Sequence, residues 1–249
     1  PAGGARPVTE APKTATVLAA GLGKRLRPIT DTLPKPLVRG AGRTLPDWGL
    51  DSLARAGVEK AVVNVHYLPD QIVAHVAGRD RPRIVISDER DALLDSAGGI
   101  VRALPQLGAA PFYVVNADTF WIDSGRPSLE RLALAWDDAR MDILLMLADG
   151  ESATGHSGGM DFVLEPDGAL RRAAGDPAGL IYAGAAILHP RIFTGASAAP
   201  HSLNLYFDRA IAAGRLHGVK MRGRWITVGT PDALPQAEAA VARALAREP

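Results

Sequence analysis

The chain has 249 residues, 47% of them hydrophobic and 22% charged, with a formal net charge of +1 and no cysteine. Such a length and balance suit one large α/β domain with a substantial core. The near-neutral charge excludes the broad positive field of a nucleic-acid or anionic-membrane binder, no apolar run approaches the ~20 residues of a membrane span, and the lack of thiols excludes disulfides, thiolate nucleophiles and zinc–cysteine centres.

Residues 1–13, rich in Pro, Gly and Ala, are expected to form a flexible N-terminus, and residues 14–249 a single domain. An apolar run over 14–19 reads as a buried strand ending in a small-residue turn. Helical spacing follows over 45–56, a strand over 61–65, a helix over 69–76 and a strand over 83–86. The same alternation gives a helix over 97–107, a strand over 112–115, a helix over 129–139 and a strand over 143–147. Beyond Asp149 the chain turns glycine-rich (Gly155, Gly158, Gly159, then Pro166-Asp167-Gly168), which predicts a small β-rich insertion. A strand over 180–188 and a closing helix over about 231–246 complete the pattern. Alternation of this kind predicts an α/β fold with a mainly parallel sheet between helices, in which ligands sit beyond the carboxyl ends of the strands.

The turn after the first strand, Ala19-Ala20-Gly21-Leu22-Gly23-Lys24-Arg25, is where chemistry concentrates. Gly21 and Gly23 let the backbone approach a ligand closely, and Lys24, Arg25 and Lys35 supply cations for a polyanion. Residues 21–45 hold six basic side chains and one acidic one. A P-loop is excluded because only Leu22 separates the glycines and Arg25 follows Gly23-Lys24; a dinucleotide fingerprint is excluded by Leu26 where its third glycine belongs. Lys35, between Pro34 and Pro36, is expected on a stiff, extended stretch. Asn116-Ala117-Asp118 follows the strand over 112–115, so it opens onto the same crevice as the glycine turn. A carboxylate facing a polyphosphate there suits Mg²⁺, and its rival role is the N-cap of a helix starting near Ile122 or Pro127. Ser96 suits an N-cap of the helix over 97–107. None of the six histidines is paired at metal-ligand spacing; His156, in the glycine-rich turn, is placed to reach a substrate.

Leu18-Ala-Ala-Gly-x-Gly-x-Arg-Leu-x-Pro-x-Thr30 followed by Pro34-Lys-Pro-Leu37 resembles the signature of the sugar-1-phosphate nucleotidyltransferases, over about twenty positions. The resemblance implies the Rossmann-like nucleotidyltransferase fold, with a nucleoside triphosphate and a sugar 1-phosphate as partners and Mg²⁺ as cofactor. It assigns Arg25, Lys35 and Asp118 to catalysis: Lys35 to the transferring phosphate, Arg25 to the triphosphate and departing pyrophosphate, Asp118 to the metal. It assigns Ala20, Gly21, Gly23, Lys24, Ser96, Gly98 and Asn116 to the nucleotide, and Gly159, Asp161 and Tyr182 to the sugar. One position departs from the pattern. In Trp225-Ile226-Thr227-Val228-Gly229-Thr230 the family carries an aspartate where this chain has Thr227, a poor metal ligand, so the two-carboxylate clamp is weakened.

Along most of its length the sequence is similar to the bacterial N-acetylmuramate-1-phosphate uridylyltransferases of cell-wall recycling, through Ala103 to Gly108, Ile187 to Pro190 and Trp225 to Thr230. That similarity implies UTP as donor; the cytoplasmic location expected for this enzyme follows instead from its lack of cysteine and of membrane-length apolar runs. Two other functions are compatible with the same motifs: a guanylyltransferase acting on mannose or heptose 1-phosphate, and a nucleotide-sugar-binding homologue without turnover, the latter motivated by Thr227.

Overall fold

The computed structural model describes residues 10–246. Residues 1–9 of the expected N-terminal segment lie outside the described residues, and residues 10–13 lead without regular structure into the first strand.

The first half runs β1 (Thr14–Leu18), β2 (Arg39–Gly40), β3 (Arg43–Thr44), α1 (Leu45–Arg55), β4 (Lys60–Val65), α2 (Pro69–Val76), β5 (Arg83–Asp88), α3 (Asp95–Leu107), β6 (Phe112–Asn116), β7 (Thr119–Asp123) and α4 (Ser128–Ala135). The second runs β8 (Ile143–Ala148), β9 (Ala153–Thr154), β10 (Phe162–Leu164), β11 (Leu170–Arg172), β12 (Ile181–Leu188), α5 (Asn204–Ala212), β13 (Leu216–Lys220), β14 (Gly223–Thr227) and α6 (Ala233–Leu245). Seven strands form the main sheet in the order β13-β8-β12-β6-β1-β4-β5, all pointing one way except β12. The predicted mainly parallel sheet between helices is what the chain forms.

Period-two burial explains the layering. In β6, Tyr113 and Val115 join the core under α1, α2 and α4, while Phe112 and Val114 join the core under α3 and α5. Both faces are covered, so β6 and β8 read as continuous apolar runs. A third core lies apart: Leu26 and Val38 of the basic loop pack with Phe120, Ile226, Val228 and the α6 residues Ala237, Ala240 and Val241. It sits on a small sheet in the order β7-β14-β9, which ties the loop to the chain's C-terminal third.

Several boundaries differ from expectation for local reasons. The helix over 129–139 stops at Ala135, because Trp136 turns into an extended conformation and buries its ring. Pro34-Lys35-Pro36 is not fully extended. Lys35–Leu37 forms a single 3₁₀ turn, closed by Leu37 N–H to Pro34 O at 2.8 Å, which tolerates Pro36 because a first-turn N–H would be unpaired anyway. The expected insertion is the β10–β11 hairpin, turning at Pro166-Asp167-Gly168. β12 breaks register between Tyr182 and Ala186, where Gly184 adopts φ 74°, a bulge that re-aims the strand's first residues.

Asp142 joins three elements at the far end of the sheet. Its carboxylate accepts from Arg191 Nε at 2.6 Å and pairs with Arg215 Nε at 3.0 Å. Burial alone would push its pKa up, but the two guanidinium groups outweigh it and hold the carboxyl below its ordinary value. A lowered carboxylate contributes stability above its unfolded pKa and loses it as pH falls through the folded one. Asp142→Asn is therefore expected to cost about 2 kcal/mol at pH 7, with the difference from wild type shrinking below about pH 4. Paired thermal melts from pH 7 to pH 2.5 check this; a constant gap would refute the charge origin.

Candidate active site

β1 lies between its parallel partners β4 and β6, so the carboxyl ends of all three open on one side of the sheet. A cavity of about 450 Å³ occupies that crevice. Its walls are Leu18 to Gly21 after β1, Asn64 on β4, Asn116 to Asp118 after β6, the Lys35-Pro36 turn, and Leu93, Asp95 and Ser96 before and within α3. This is the switch point at which open α/β sheets bind ligands.

At its mouth Lys35 Nζ meets Asp118 Oδ2 at 2.5 Å. The lysine side chain is 14% exposed and the carboxylate 34%, so the pair is half sheltered and still reachable from solvent. Lys35 is anchored from below by the glycine turn. Gly23 has φ +65°, and a Cβ there would lie 2.8 Å from Lys35 Cβ and 2.9 Å from Thr30 Cγ2. Only glycine fits both that conformation and that contact. Arg25 leaves the turn toward the segment after β14, where a Cβ on Gly229 would lie 3.4 Å from its Nη2.

The candidate residues separate by position. Ala20, Gly21, Lys35, Ser96, Asn116 and Asp118 line the cavity. Lys24 and Arg25 are exposed beside the turn and Gly23 supports it from outside the lining. Gly98 is buried behind the wall, where a Cβ would meet Ala199 O at 2.3 Å. Ser96 is not a helix cap: α3 begins at Asp95, and the Ser96 hydroxyl accepts from Leu203 N–H at 2.9 Å. Nor does Asp118 cap a helix. That role falls to Asp123, whose Oδ1 accepts from Ser128 N–H at 2.9 Å and from its hydroxyl at 2.5 Å ahead of α4.

A smaller cavity of about 190 Å³ shares Leu18, Ser96 and Asn116 with the first and adds Asp161, Arg172 and Tyr182. Asp161 Oδ2 accepts from Tyr182 N–H at 2.8 Å. The Tyr182 hydroxyl is buried with no hydrogen-bond partner, and burial, with Asp161 and Asp118 nearby, raises its pKa and keeps it a neutral donor. Gly159 lies outside this lining, its carbonyl 3.2 Å from His156 Nε2, and His156 rests edge-on against Trp225 instead of reaching either cavity. Sequence reasoning missed Asn64 and Arg172. Both are ordinary strand residues in the pattern, and neither carries a spacing signal.

Among the described residues no three or more His, Cys, Asp or Glu side chains gather as a metal cage. Thr227 pairs with Thr119 across β14 and β7, and Val228 N–H donates to Asp118 O at 3.1 Å, so Thr227 and Asp118 lie on adjoining backbone segments. The accessible Asp118 carboxylate at the mouth of this cavity suits Mg²⁺, which keeps several waters and draws its remaining ligands from one or two carboxylates and substrate phosphates.

A parallel-centred sheet with a cationic glycine turn and a carboxylate meeting at its switch point is an arrangement suited to a nucleoside triphosphate. The family model of the MobA-like NTP transferase domain matches residues 15–229, and the chain belongs to that family. An N-acetylmuramate alpha-1-phosphate uridylyltransferase of Caulobacter vibrioides is 45% identical over 95% of this chain and 100% of its own length. A mannose-1-phosphate guanyltransferase of Aspergillus fumigatus is 32% identical over 87% of this chain, which spans 61% of that protein. The solved inositol-1-phosphate CTP transferase of T. maritima shares the fold with a TM-score of 0.73 at 20% identity, covering 90% of this chain and 92% of its own.

Proposed function

We propose that the chain transfers UMP from UTP to N-acetylmuramate α-1-phosphate, giving the UDP-sugar and pyrophosphate, in the cytoplasm and in recycling of cell-wall sugars. The observation that carries the reading is the Lys35–Asp118 pair at the mouth of a nucleotide-sized cavity that abuts a second, sugar-sized one. The full-length similarity to the Caulobacter uridylyltransferase supports UTP and the amino-sugar phosphate over guanylyl transfer to mannose 1-phosphate.

In this assignment an oxygen of the sugar phosphate forms a bond to the α-phosphorus of UTP as the bond from that phosphorus to the bridging oxygen breaks, and pyrophosphate leaves with the electron pair. A phosphomonoester has its second pKa near ~6, so the nucleophile is already ionised and needs no protein base. Lys35 neutralises charge growing on the α-phosphate. Ala20 and Gly21 bring backbone close to the phosphates, and Lys24 and Arg25 flank the leaving pyrophosphate. Asn116 and Ser96, shared by both cavities, stand between nucleotide and sugar, while Asp161 and Tyr182 line the smaller cavity assigned to the sugar. Asp118, with Thr227 on the neighbouring strand, would hold Mg²⁺, which supplies further charge neutralisation when bound.

Arg172 is the specificity cation. Its Nε pairs with Asp208 at 2.8 Å, Nη2 reaches Asn204 Oδ1 at 3.0 Å, and the guanidinium lies 4.8 Å above the Phe162 ring, which fixes it beside the smaller cavity. N-acetylmuramate carries a carboxylate that mannose and N-acetylglucosamine lack. Arg172→Ala is expected to raise KM for N-acetylmuramate 1-phosphate by roughly tenfold or more and KM for N-acetylglucosamine 1-phosphate far less; equal changes would remove the carboxylate contact. Thr227→Asp is expected to lower the Mg²⁺ concentration giving half-maximal rate, and an unchanged titration would place Thr227 away from the ion. The assignment as a whole is tested by pyrophosphate release from UTP, GTP and CTP with a panel of sugar 1-phosphates. The UTP and N-acetylmuramate 1-phosphate pair should give the highest kcat/KM, and a chain inert on every pair would be a binding protein instead.

A further inference from the structure

Glu89 is wholly buried directly after β5, outside the lining of both cavities. A carboxylate in that position costs stability unless its oxygens are paired, and burial raises its pKa. Its two oxygens are both used as acceptors. Asn64 Nδ2 donates to Oε1 at 2.8 Å, and Leu94 N–H donates to Oε2 at 3.3 Å. Asn64 in turn accepts from Ala19 N–H through Oδ1 at 2.6 Å.

The hydrogen bonds therefore run in one line, from the start of the glycine turn through Asn64 and Glu89 to the segment that forms the facing wall of the cavity. Polarity along that line is fixed at both ends by backbone N–H groups, which donate only. Asn64 must turn its oxygen to Ala19 and its NH₂ to Glu89, and position 89 must accept twice. The space around them is equally restricted: a Cβ on Gly99 would lie 2.7 Å from Glu89 Oε1 and 2.8 Å from Asn64 Nδ2. The wall being held is strained, since Asp95 directly after Leu94 adopts φ +60° without being glycine.

We infer that Asn64 and Glu89 form a directional relay that sets the separation of the glycine turn from the Leu93–Ser96 wall, with Glu89 a positioning residue for the nucleotide. The inference rests on the proposed nucleotide site and adds residues that neither the motifs nor the charge pattern point to. Paired polar groups in a dry interior lock one geometry, and a mismatch of donor against donor opens it.

The experiment is a donor–acceptor swap. Glu89→Gln turns one acceptor into a donor that faces either Asn64 NH₂ or Leu94 N–H. It is expected to raise KM for UTP roughly ten- to hundredfold while KM for the sugar phosphate stays within about twofold. Adding Asn64→Asp reverses the relay: the new carboxylate accepts from Ala19 N–H and from the introduced amide, whose oxygen accepts from Leu94 N–H. The double variant is expected to recover most of the UTP affinity, read both as KM and as the UTP dissociation constant by calorimetry. Three results would overturn the relay: a wild-type KM for UTP in Glu89→Gln, a parallel rise in both KM values, or no recovery in the double variant. None of the three touches wild-type turnover of UTP, which carries the functional assignment; a wild-type chain that neither binds nor consumes UTP would overturn both.

Discussion

Lys35→Ala is expected to lower kcat by roughly 10²–10³-fold, the loss typical of removing one donor aimed at charge that grows in a transition state. Its amine stands on a 3₁₀ turn between Pro34 and Pro36, is 14% exposed, and is braced at Cβ by Gly23. Little conformational freedom is left to lose on meeting the phosphate, so most of the interaction is available to the reaction. The melting temperature should change little, because the Asp118 carboxylate left behind is one-third exposed and can be solvated. Lys35→Arg should rescue poorly, since a planar fork does not occupy the site of a compact ammonium. A Lys35→Ala rate within fivefold of wild type would remove Lys35 from the reaction.

Asp118→Asn should be at least as damaging, lowering kcat by about 10³-fold and flattening the response to Mg²⁺. The substitution keeps the shape of the side chain and the backbone bond from Val228 N–H to Asp118 O, so the β7–β14 pairing is preserved. Lys35 would lose its countercharge and swing toward solvent or substrate. The expected signature is lost turnover with a retained fold and a modest change in KM for UTP, checked by initial rates across a Mg²⁺ series and by circular dichroism. A wild-type Mg²⁺ curve would exclude Asp118 as the ion's ligand.

The parts of this site visible in sequence were those written as local chemistry. The spacing Gly21-Leu22-Gly23 with its flanking cations, and a carboxylate shortly after the apolar run over 112–115, each follow from what a phosphate or a metal demands of nearby residues. The alternation of apolar runs and helical segments likewise encodes a buried parallel sheet. What stayed hidden depends on pairing between distant segments. β14 packs on β7 across a hundred residues, and it is the motif resemblance over Trp225 to Thr230, not any local pattern in Gly223–Thr227, that pointed to Thr227 lying beside Asp118. Lys35–Leu37 curls into a 3₁₀ turn because Val38 buries in the third core, a tertiary pull that overrides the extended preference before proline. Asn64 and Glu89 carry no motif or spacing signal, and their role shows only in the structure, where both are buried and hydrogen-bonded to each other.

The decisive measurement is kcat for the Lys35→Ala/Asp118→Asn double variant beside the two single variants, with UTP, N-acetylmuramate 1-phosphate and saturating Mg²⁺. Two groups serving one phosphate centre are not independent, so the double variant should be scarcely slower than the worse single one. Losses that multiply would mean that Lys35 and Asp118 act at separate places, and the single-centre assignment would be wrong.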